Sequence, residues 1–286
     1  MVALSDAAER LGVISWALVY VGLAVFAPIC ALAQRWIPAS ETTPRVFDRS
    51  RRIDWAYWVI TPLGTGLLTR MATLGAAATL AFALGWAFHD ADDLLDVFHA
   101  RSPIASWALP IQSIVALVLA DFVSYWSHRL RHHARLFPLH AVHHSAEKLD
   151  WLAAARMHPL DDLADNVLVT LPVLLLGFDP RIFLALGPVL ILHTLYLHAS
   201  VRLSLGPLRW VIASPDFHRW HHSIDPAAQN ANYGGVFSIW DVMFGTFRMQ
   251  PERETHFGLA PGDALPESLG AQLVTPLIRL AQRSRS

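Results

Sequence analysis

Histidine is concentrated in one stretch of this chain of 286 residues, where twelve of the fifteen histidines fall between His128 and His222. The first cluster contains His128 and His132, which are four residues apart. On a helix this spacing puts the two imidazoles on one face, about 6 Å apart, so that both can reach one metal ion. Imidazole binds zinc, copper, iron and nickel, and its chemistry alone does not choose among them.

Two further clusters repeat the pattern HxxHH, in which all three imidazoles project from one helical face. The first copy contains His140, His143 and His144, and the second contains His218, His221 and His222. Together with the first cluster they supply eight imidazoles, more than the four ligands that one tetrahedral zinc ion uses. This number predicts two metal ions with at least three imidazoles each and with open positions where a further molecule can bind.

Two polar side chains lie on the same helical stripe as the first cluster. Asp121 precedes His128 by seven residues, and Tyr125 precedes His132 by seven. We therefore expect Asp121 and Tyr125 to assist catalysis by orienting an imidazole through a hydrogen bond. For Asp121 the alternative is a carboxylate that a neighbouring helix satisfies, because an acid inside an apolar segment is costly and seldom lacks a role.

The composition indicates that a membrane surrounds the elements that position these residues. Hydrophobic residues make up 54% of the chain and charged residues only 16%, and the mean hydropathy is +0.37. A soluble domain carries about 25% charged residues. The net charge of −1 gives no basic field that would attract nucleic acid. An integral-membrane protein is therefore expected.

Long apolar runs predict where the chain crosses the bilayer. Residues 11–33 are long enough for a first span, with a cleaved signal peptide as the alternative. Residues 55–88 are longer than one crossing needs, and Pro62 and Gly64 are expected to separate an interfacial helix from a spanning helix that starts near Leu67.

Residues 107–126 predict a third span, and 163–177 and 182–197 predict a helical hairpin with a turn between them. Its first arm is short for a crossing, so the hairpin either spans or dips into the bilayer. Arginines flank the first and third spans on one side and aspartates follow the second span, so the histidines are expected on the cytoplasmic face. The predicted fold is an all-α integral-membrane helical bundle with about three spanning helices, this hairpin and a cytosolic histidine-rich cap.

The predicted division of the chain follows from these elements. Residues 1–54 form an N-terminal spanning helix and a basic loop, and residues 55–286 form the catalytic domain. Within that domain the cytosolic cap comprises about 128–162 and 199–260.

From about residue 54 to 247 the chain resembles the fatty acid hydroxylase/sterol desaturase superfamily of membrane di-iron oxygenases. The resemblance is carried by the segments DWAYWVITPLGTGLLTR, DFVSYWSHRLRH, HAVHHSAEKLDWLAAARMHPLDD, LHAS, SPDFHRWHH and NANYGGVFSIWDVMFGTF. It implies that the eight clustered histidines bind iron, and it adds His198 of LHAS as a further ligand. Ser200 stands where the family usually has asparagine, which leaves the ligand unchanged.

Two other histidines keep alternative interpretations. His158 matches a recurrent family position and either binds metal or orders the helix that follows. His193 precedes His198 by five residues, so the two rings project about 140° apart on a helix, and it is either a ligand or a structural residue. Residues 232–235, NYGG, are expected to form a turn that fixes the last cluster, because Asn and Gly adopt left-handed conformations easily.

The resemblance implies an oxidoreductase that uses two iron ions and dioxygen to hydroxylate or desaturate a C–H bond of a membrane lipid, either a sterol, a fatty acyl chain or a related compound. Zinc can replace iron during purification because imidazole sites accept both. No GxGxxG fingerprint and no cytochrome-like or ferredoxin-like segment is evident, so a separate b-type cytochrome, ferredoxin or reductase is the expected electron donor.

Two other classes of protein remain as alternatives. A metal transporter is expected to carry its sites near the bilayer midplane, whereas these clusters lie outside the apolar runs. A zinc hydrolase of the HExxH type would need a glutamate general base, and this motif is missing from the sequence.

Overall fold

The computed structural model describes residues 20–21, 23–39, 51–250 and 256–283. Within these ranges the regular secondary structure is helical, and strand-like pairing is limited to two isolated bridges. Most of the predicted first span lies outside the described residues, as do residues 40–50 of the basic loop. The described part of that span forms the apolar helix α1, Leu23–Trp36.

The remaining helices follow in chain order. They are α2 Arg52–Ile60, α3 Gly66–Ala83, α4 Ala91–Arg101, α5 Leu109–Arg131, α6 Phe137–His144, α7 Pro159–Leu175, α8 Arg181–His198, α9 Pro215–His221, α10 Ile239–Met243 and α11 Leu269–Arg283. Short 3₁₀ turns cover Pro103–Ser106, Trp151–Ala155 and Gly206–Trp210.

The prediction of two helices separated near Pro62 and Gly64 is correct for the start of α3, at Gly66 beside Leu67, and wrong in expecting a break. Helices α2 and α3 form one uninterrupted helical run, Arg52–Ala83, joined by the π-helical turn Thr61–Thr65. Proline lacks an N–H donor and its ring crowds the carbonyl one turn earlier. The wider π turn accommodates both effects without ending the helix.

Three helical segments are long and apolar enough to cross a membrane, namely the α2–α3 run, α5 and α8. Outward-facing side chains such as Met71 and Ile114 are 63% and 64% exposed, as expected for a surface that faces lipid. Helix α7, with 17 residues, precedes α8 and is connected to it by a turn at Gly177. It packs mainly against α3 and α5 and not along α8, so the predicted hairpin is present only as this turn. The expectation of an all-α membrane bundle is confirmed.

Helix α7 holds the bundle together by packing against both α3 and α5. Small side chains face it, including the fully buried Ala77 of α3 and Ala116 of α5. Small residues at such positions let helix backbones approach closely in a membrane. The C-terminal ends of α5 and α8 lie at the same end of this bundle as α6 and α9, so this end carries the histidine clusters.

Candidate metal centre

Nine of the predicted ligands converge at this end of the bundle, in two adjoining groups. The five-histidine group is His128, His132, His140, His144 and His221, and the four-histidine group is His143, His198, His218 and His222. Within each group the ring nitrogens lie within 4.8 Å of one another. Opposite ligands on one ion with bonds of about 2.1 Å would be about 4.2 Å apart, so each group has the dimensions of one coordination sphere.

Carbonyl groups from a distant segment fix the ring orientation of two members of the five-histidine group. Nδ1 of His128 lies 2.9 Å from the carbonyl oxygen of Tyr233, and Nδ1 of His221 lies 2.6 Å from that of Ala231. A carbonyl oxygen only accepts hydrogen bonds, so each Nδ1 carries the proton and each Nε2 presents its lone pair. This is the tautomer that binds metal through Nε2.

The ring orientation of His140 is fixed by a carboxylate instead of a carbonyl group. Oδ2 of Asp161 lies 2.9 Å from Nδ1 of His140, and Arg131 approaches the same oxygen at 3.3 Å. Arg131 also pairs with Asp165 at 3.0 Å. Burial raises the pKa of Asp161 to about 6, and the guanidinium of Arg131 opposes this rise.

The Nε2 atoms of the five-histidine group have no hydrogen-bond partner among the residues that the structure describes, although all five are buried. A buried polar atom without a partner costs about 1–3 kcal/mol, so five together need a common explanation. Burial, followed by nearby charges, lowers the pKa of His221 to about 4, which makes protonation unfavourable. A metal ion is the group that satisfies five convergent lone pairs.

Two members of the four-histidine group direct lone pairs at each other. Nδ1 of His143 lies 3.2 Å from the carbonyl oxygen of Arg156, and Nδ1 of His198 lies 2.9 Å from that of Thr194. Both rings therefore carry their proton on Nδ1, yet their Nε2 atoms are only 3.3 Å apart. Two lone pairs at this distance repel each other unless a cation lies beside them.

The remaining members complete this second site. Nε2 of His218 lies 3.1 Å from Nε2 of His198 and 3.1 Å from Nε2 of His222. Burial first, and neighbouring imidazoles second, lower the pKa of His218 and His222 well below the ordinary value. Because added protons are disfavoured here, the residues fit a metal ion better than a protonated cluster.

The two groups share a boundary. The rings of His144 and His222, one from each group, stack with centroids 4.4 Å apart. His143 and His144 are adjacent in sequence and belong to different groups, as do His221 and His222. The HxxHH pattern thus supplies ligands to both sites from one helical turn.

Asp121 does not hydrogen-bond an imidazole in the described part of the chain. Its carboxylate accepts the backbone N–H groups of residues 236–237, at 2.6 and 2.9 Å, and the indole N–H of Trp240 at 2.9 Å. These bonds hold the segment that brings the Tyr233 carbonyl to His128. The effect of Asp121 on an imidazole is therefore indirect, through the backbone.

Tyr125 acts on the same segment. Its hydroxyl lies 2.9 Å from Oγ1 of Thr246 and accepts from Arg129 at 3.2 Å. Its ring meets that of Tyr233 edge-on, with centroids 6.1 Å apart. Like Asp121, it contacts a neighbour of the imidazoles rather than an imidazole.

Residues 231–237, which we call the closing segment, are held in place by Asn232, whose φ of 60° is left-handed. The buried amide of Asn232 donates to the carbonyl oxygens of Phe217, at 3.0 Å, and Arg248, at 2.6 Å. This conformation agrees with the turn expected for NYGG. Sequence reasoning did not identify the carbonyls of Ala231 and Tyr233 as acceptors, because a backbone oxygen leaves no signal in the residue type.

His158 and His193 lie outside both groups. Nδ1 of His158 accepts the N–H of Leu160 at the start of α7, and its Nε2 lies 3.0 Å from the carbonyl oxygen of Leu273. Nε2 of His193 lies 3.2 Å from the carbonyl oxygen of Gly235. The structure gives His158 the contacts expected of a residue that orders α7, and it does not bring either ring to the nine.

A buried ionic network supports the loop that receives His143. Arg156, whose carbonyl oxygen accepts from His143, donates through its guanidinium to Asp54. Arg51 bonds both Asp54 and Asp150. Sequence reasoning counted Arg51 only among the loop arginines and missed the two aspartates. The pairs Asp54–Arg156 and Asp150–Arg51 join residues about a hundred positions apart.

The fatty acid hydroxylase family model matches residues 113–246, a range that contains all nine clustered histidines. The ornithine lipid hydroxylase OlsE of Rhizobium tropici is 32% identical over 256 residues, which cover 89% of this chain and 74% of the relative. No solved structure matches the chain.

Two other relatives are similar over shorter ranges. The alkylglycerol monooxygenase of Caenorhabditis elegans is 34% identical over 50% of this chain, and the Delta(7)-sterol 5(6)-desaturase ERG3A of Gibberella zeae is 30% identical over 48%. The aligned parts span only 28% and 37% of those two relatives. On the family model and the long alignment with the bacterial hydroxylase, the chain belongs to the fatty acid hydroxylase/sterol desaturase superfamily.

Proposed function

We propose that this protein holds two iron ions in the five-histidine and four-histidine groups and oxidises a C–H bond of a membrane lipid with dioxygen. Membership of the superfamily makes the chain an oxidoreductase that acts on lipids. The iron pair rests on one observation above all, the convergence of nine imidazoles in two groups. Five of them have a buried Nε2 without a hydrogen-bond partner among the described residues, and His143 and His198 bring two unprotonated Nε2 atoms within 3.3 Å of each other.

Bound iron would supply the redox chemistry that activates dioxygen and breaks an unactivated C–H bond. Hydroxylation of a substrate R–H consumes one O₂, two electrons and two protons, and yields R–OH and one water molecule. Desaturation consumes the same reagents but removes two hydrogen atoms from the lipid and yields two water molecules. The electrons come from a separate protein of the b-type cytochrome, ferredoxin or reductase class.

The chain's own residues bind the metal ions and orient the imidazole rings that hold them. The nine imidazoles bind metal, while Asp161 and the carbonyls of Ala231 and Tyr233 hold three of the rings in the required tautomer. We assign His158 and His193 supporting roles, and we assign Asp121 and Tyr125 the role of holding the closing segment. None of these four side chains needs to touch the substrate.

A cavity of about 510 Å³ gives a substrate access to the site. Its wall includes parts of the α2–α3 run, α5, α7 and α8, and it reaches imidazoles of both groups, among them His128 and His198. Because these helices form the membrane part of the bundle, a lipid can enter from the bilayer.

Hydroxylation is the reaction we favour. The alignment that covers most of this chain is with an ornithine lipid hydroxylase, which supports an amino-acid-containing membrane lipid as the substrate. We also propose that residues 55–286 form the catalytic domain, that 1–54 form an N-terminal helix and loop, that the chain crosses the membrane several times, and that the histidines face the cytoplasm.

The test is expression in a host without the activity, growth under ¹⁸O₂, and mass spectrometry of total lipid. The expected product is one lipid class heavier by one ¹⁸O atom, or lighter by two hydrogens if the reaction is desaturation, and missing in a His198→Ala strain. If neither change appears in any lipid while the protein is present with its metal, the proposal is wrong.

A further inference from the structure

One wall of the cavity is polar although it lies among membrane helices. Thr65, Thr69 and Arg70 line it from the α2–α3 run, and Asp162 and Asn166 line it from α7. We call these five residues the polar wall. Charged and polar groups among spanning helices are costly and usually serve a site.

Asp162 is an acidic residue of the polar wall that does not pair with a basic side chain of the described residues. Oγ1 of Thr65 donates to its carboxylate, and the described residues offer it no ion pair with lysine or arginine. The nearby Asp165 differs, because it pairs with Arg131 at 3.0 Å and accepts from Ser127 at 2.6 Å. A cation within the cavity would therefore meet Asp162 rather than Asp165.

Thr69 gives an independent sign that a polar ligand fits here. It lies one helical turn after Thr65 and lines the same cavity, yet its buried Oγ1 has no hydrogen-bond partner in the described chain. By contrast, Thr65, Thr73 and Thr79 of this run each bond the carbonyl one turn earlier. The unpaired hydroxyl of Thr69 is available to a polar group that enters the cavity.

We propose that the polar wall binds the head group of a lipid that carries a cationic amine. Asp162 accepts from the ammonium group, and Thr69 bonds a neighbouring polar atom of the head group. The inference rests on the proposed function and deepens it by assigning the residues that bind the amine of the substrate's head group.

The position of the wall has a consequence for the product. The same cavity contains the polar wall and the imidazoles of His128 and His198. A head group bound to Asp162 therefore puts the head group itself, or the first carbons of the attached chain, beside the metal sites. The far end of an acyl chain is not the expected site of oxidation.

The test is binding to the purified full-length protein in nanodiscs, measured by native mass spectrometry without turnover. The probes are an N-acylated ornithine lipid with its free amine and the same lipid with that amine acetylated. We expect the wild-type protein to bind the free amine at least tenfold more tightly. Asp162→Asn should abolish this preference, and Asp96→Asn, which removes an exposed acid of α4 outside the cavity, should retain it.

Thr69→Val provides a second variant if Asp162→Asn fails to fold, and it should weaken binding of the amine-bearing lipid several-fold. Equal binding of both probes by the wild-type protein, an unchanged preference in Asp162→Asn, or undiminished binding of the amine-bearing lipid by Thr69→Val would overturn the inference. If a lipid gains labelled oxygen but the protein binds both probes equally, the proposed function stands and the head-group site is rejected. If the protein prefers the free amine but no lipid is oxidised, the head-group site stands and the proposed function is rejected.

Discussion

At the scale of single residues, hydrogen bonds to Nδ1 decide what each histidine can bind. Spacing predicts that imidazoles share a helical face, because the rise and turn of a helix are local properties. It does not predict which nitrogen faces the metal, since the acceptors lie far away in sequence. The carbonyl of Tyr233, for example, is 105 residues from His128.

Removal of the carboxylate beside His140 tests this orientation. Asp161→Ala deletes the acceptor of His140 Nδ1, so we expect metal affinity to fall about 10- to 100-fold, the usual effect of losing such a partner. Asp161→Asn keeps an acceptor oxygen and should retain more of the affinity. Competition with a chelator measures both, and an alanine variant as tight as wild type would contradict the assigned role.

For Asp121 the sequence predicted the right helical face but not the right hydrogen-bond partner. Seven residues before His128 corresponds to about 10.5 Å along the helix axis, too far for a direct bond to the imidazole. The sequence identified the residue as important, but the segment it holds comes 115 residues later. Its partners could not be read from local spacing.

Asp121→Ala should destabilise the protein because three donors lose their acceptor. Hydrogen bonds to a charged group contribute about 1.5–3 kcal/mol each, so a loss of at least about 2 kcal/mol in unfolding free energy is expected. Thermal unfolding in detergent measures it. The exposed Asp92 of α4 is the control, and equal melting temperatures for Asp121→Ala and Asp92→Ala would refute the argument.

At the scale of elements, apolar runs predicted the helices well and their interruptions poorly. The end of α5 at Arg131, beside His132, follows from the predicted continuation of the third span. The expected break at Pro62 does not occur, because a π turn carries the helix past the proline. The choice between a break and a π turn depends on tertiary contacts, such as the bond from Thr61 to the carbonyl of Ala155.

The turn between α7 and α8 is set by Gly177, whose φ is +74°. A Cβ there would lie 2.4 Å from the carbonyl oxygen of Phe98 and 2.6 Å from Cβ of Ser102. Left-handed strain and these clashes should cost Gly177→Ala about 2 kcal/mol or more.

Gly187→Ala in α8 is the matched control, since a Cβ there meets no atom within 4 Å and alanine favours a helix. The melting temperature should fall only for the substitution at Gly177. A similar fall for both variants would show that the close contact with α4 does not explain the requirement for glycine.

At the scale of the whole molecule, the sequence predicted that the metal-binding histidines lie together at one end of the helical bundle. Composition and charge asymmetry predicted the membrane and its sides, and the clusters converge as expected. The polar wall was not predicted, because its members come from the α2–α3 run and α7 and only their packing brings them to one cavity.

Orientation in the membrane can be tested with reporters. Helix α11 packs on α6, and Arg283 donates to the carbonyl oxygen of Ala134, next to the first histidine cluster. A C-terminal green fluorescent protein should therefore fluoresce in a bacterial host, whereas the same reporter inserted after Ser106, at the other end of the bundle, should stay dark. The opposite pattern would put the histidines outside the cytoplasm.

The metal content per chain tests the central claim most directly. Protein produced with ⁵⁷Fe and purified without oxygen should contain about two ions per chain, with Mössbauer parameters of nitrogen-rich sites. Any zinc acquired during purification should replace iron one for one. A maximum of one ion per chain under metal excess, or no bound metal at all, would contradict two adjoining sites built from nine imidazoles.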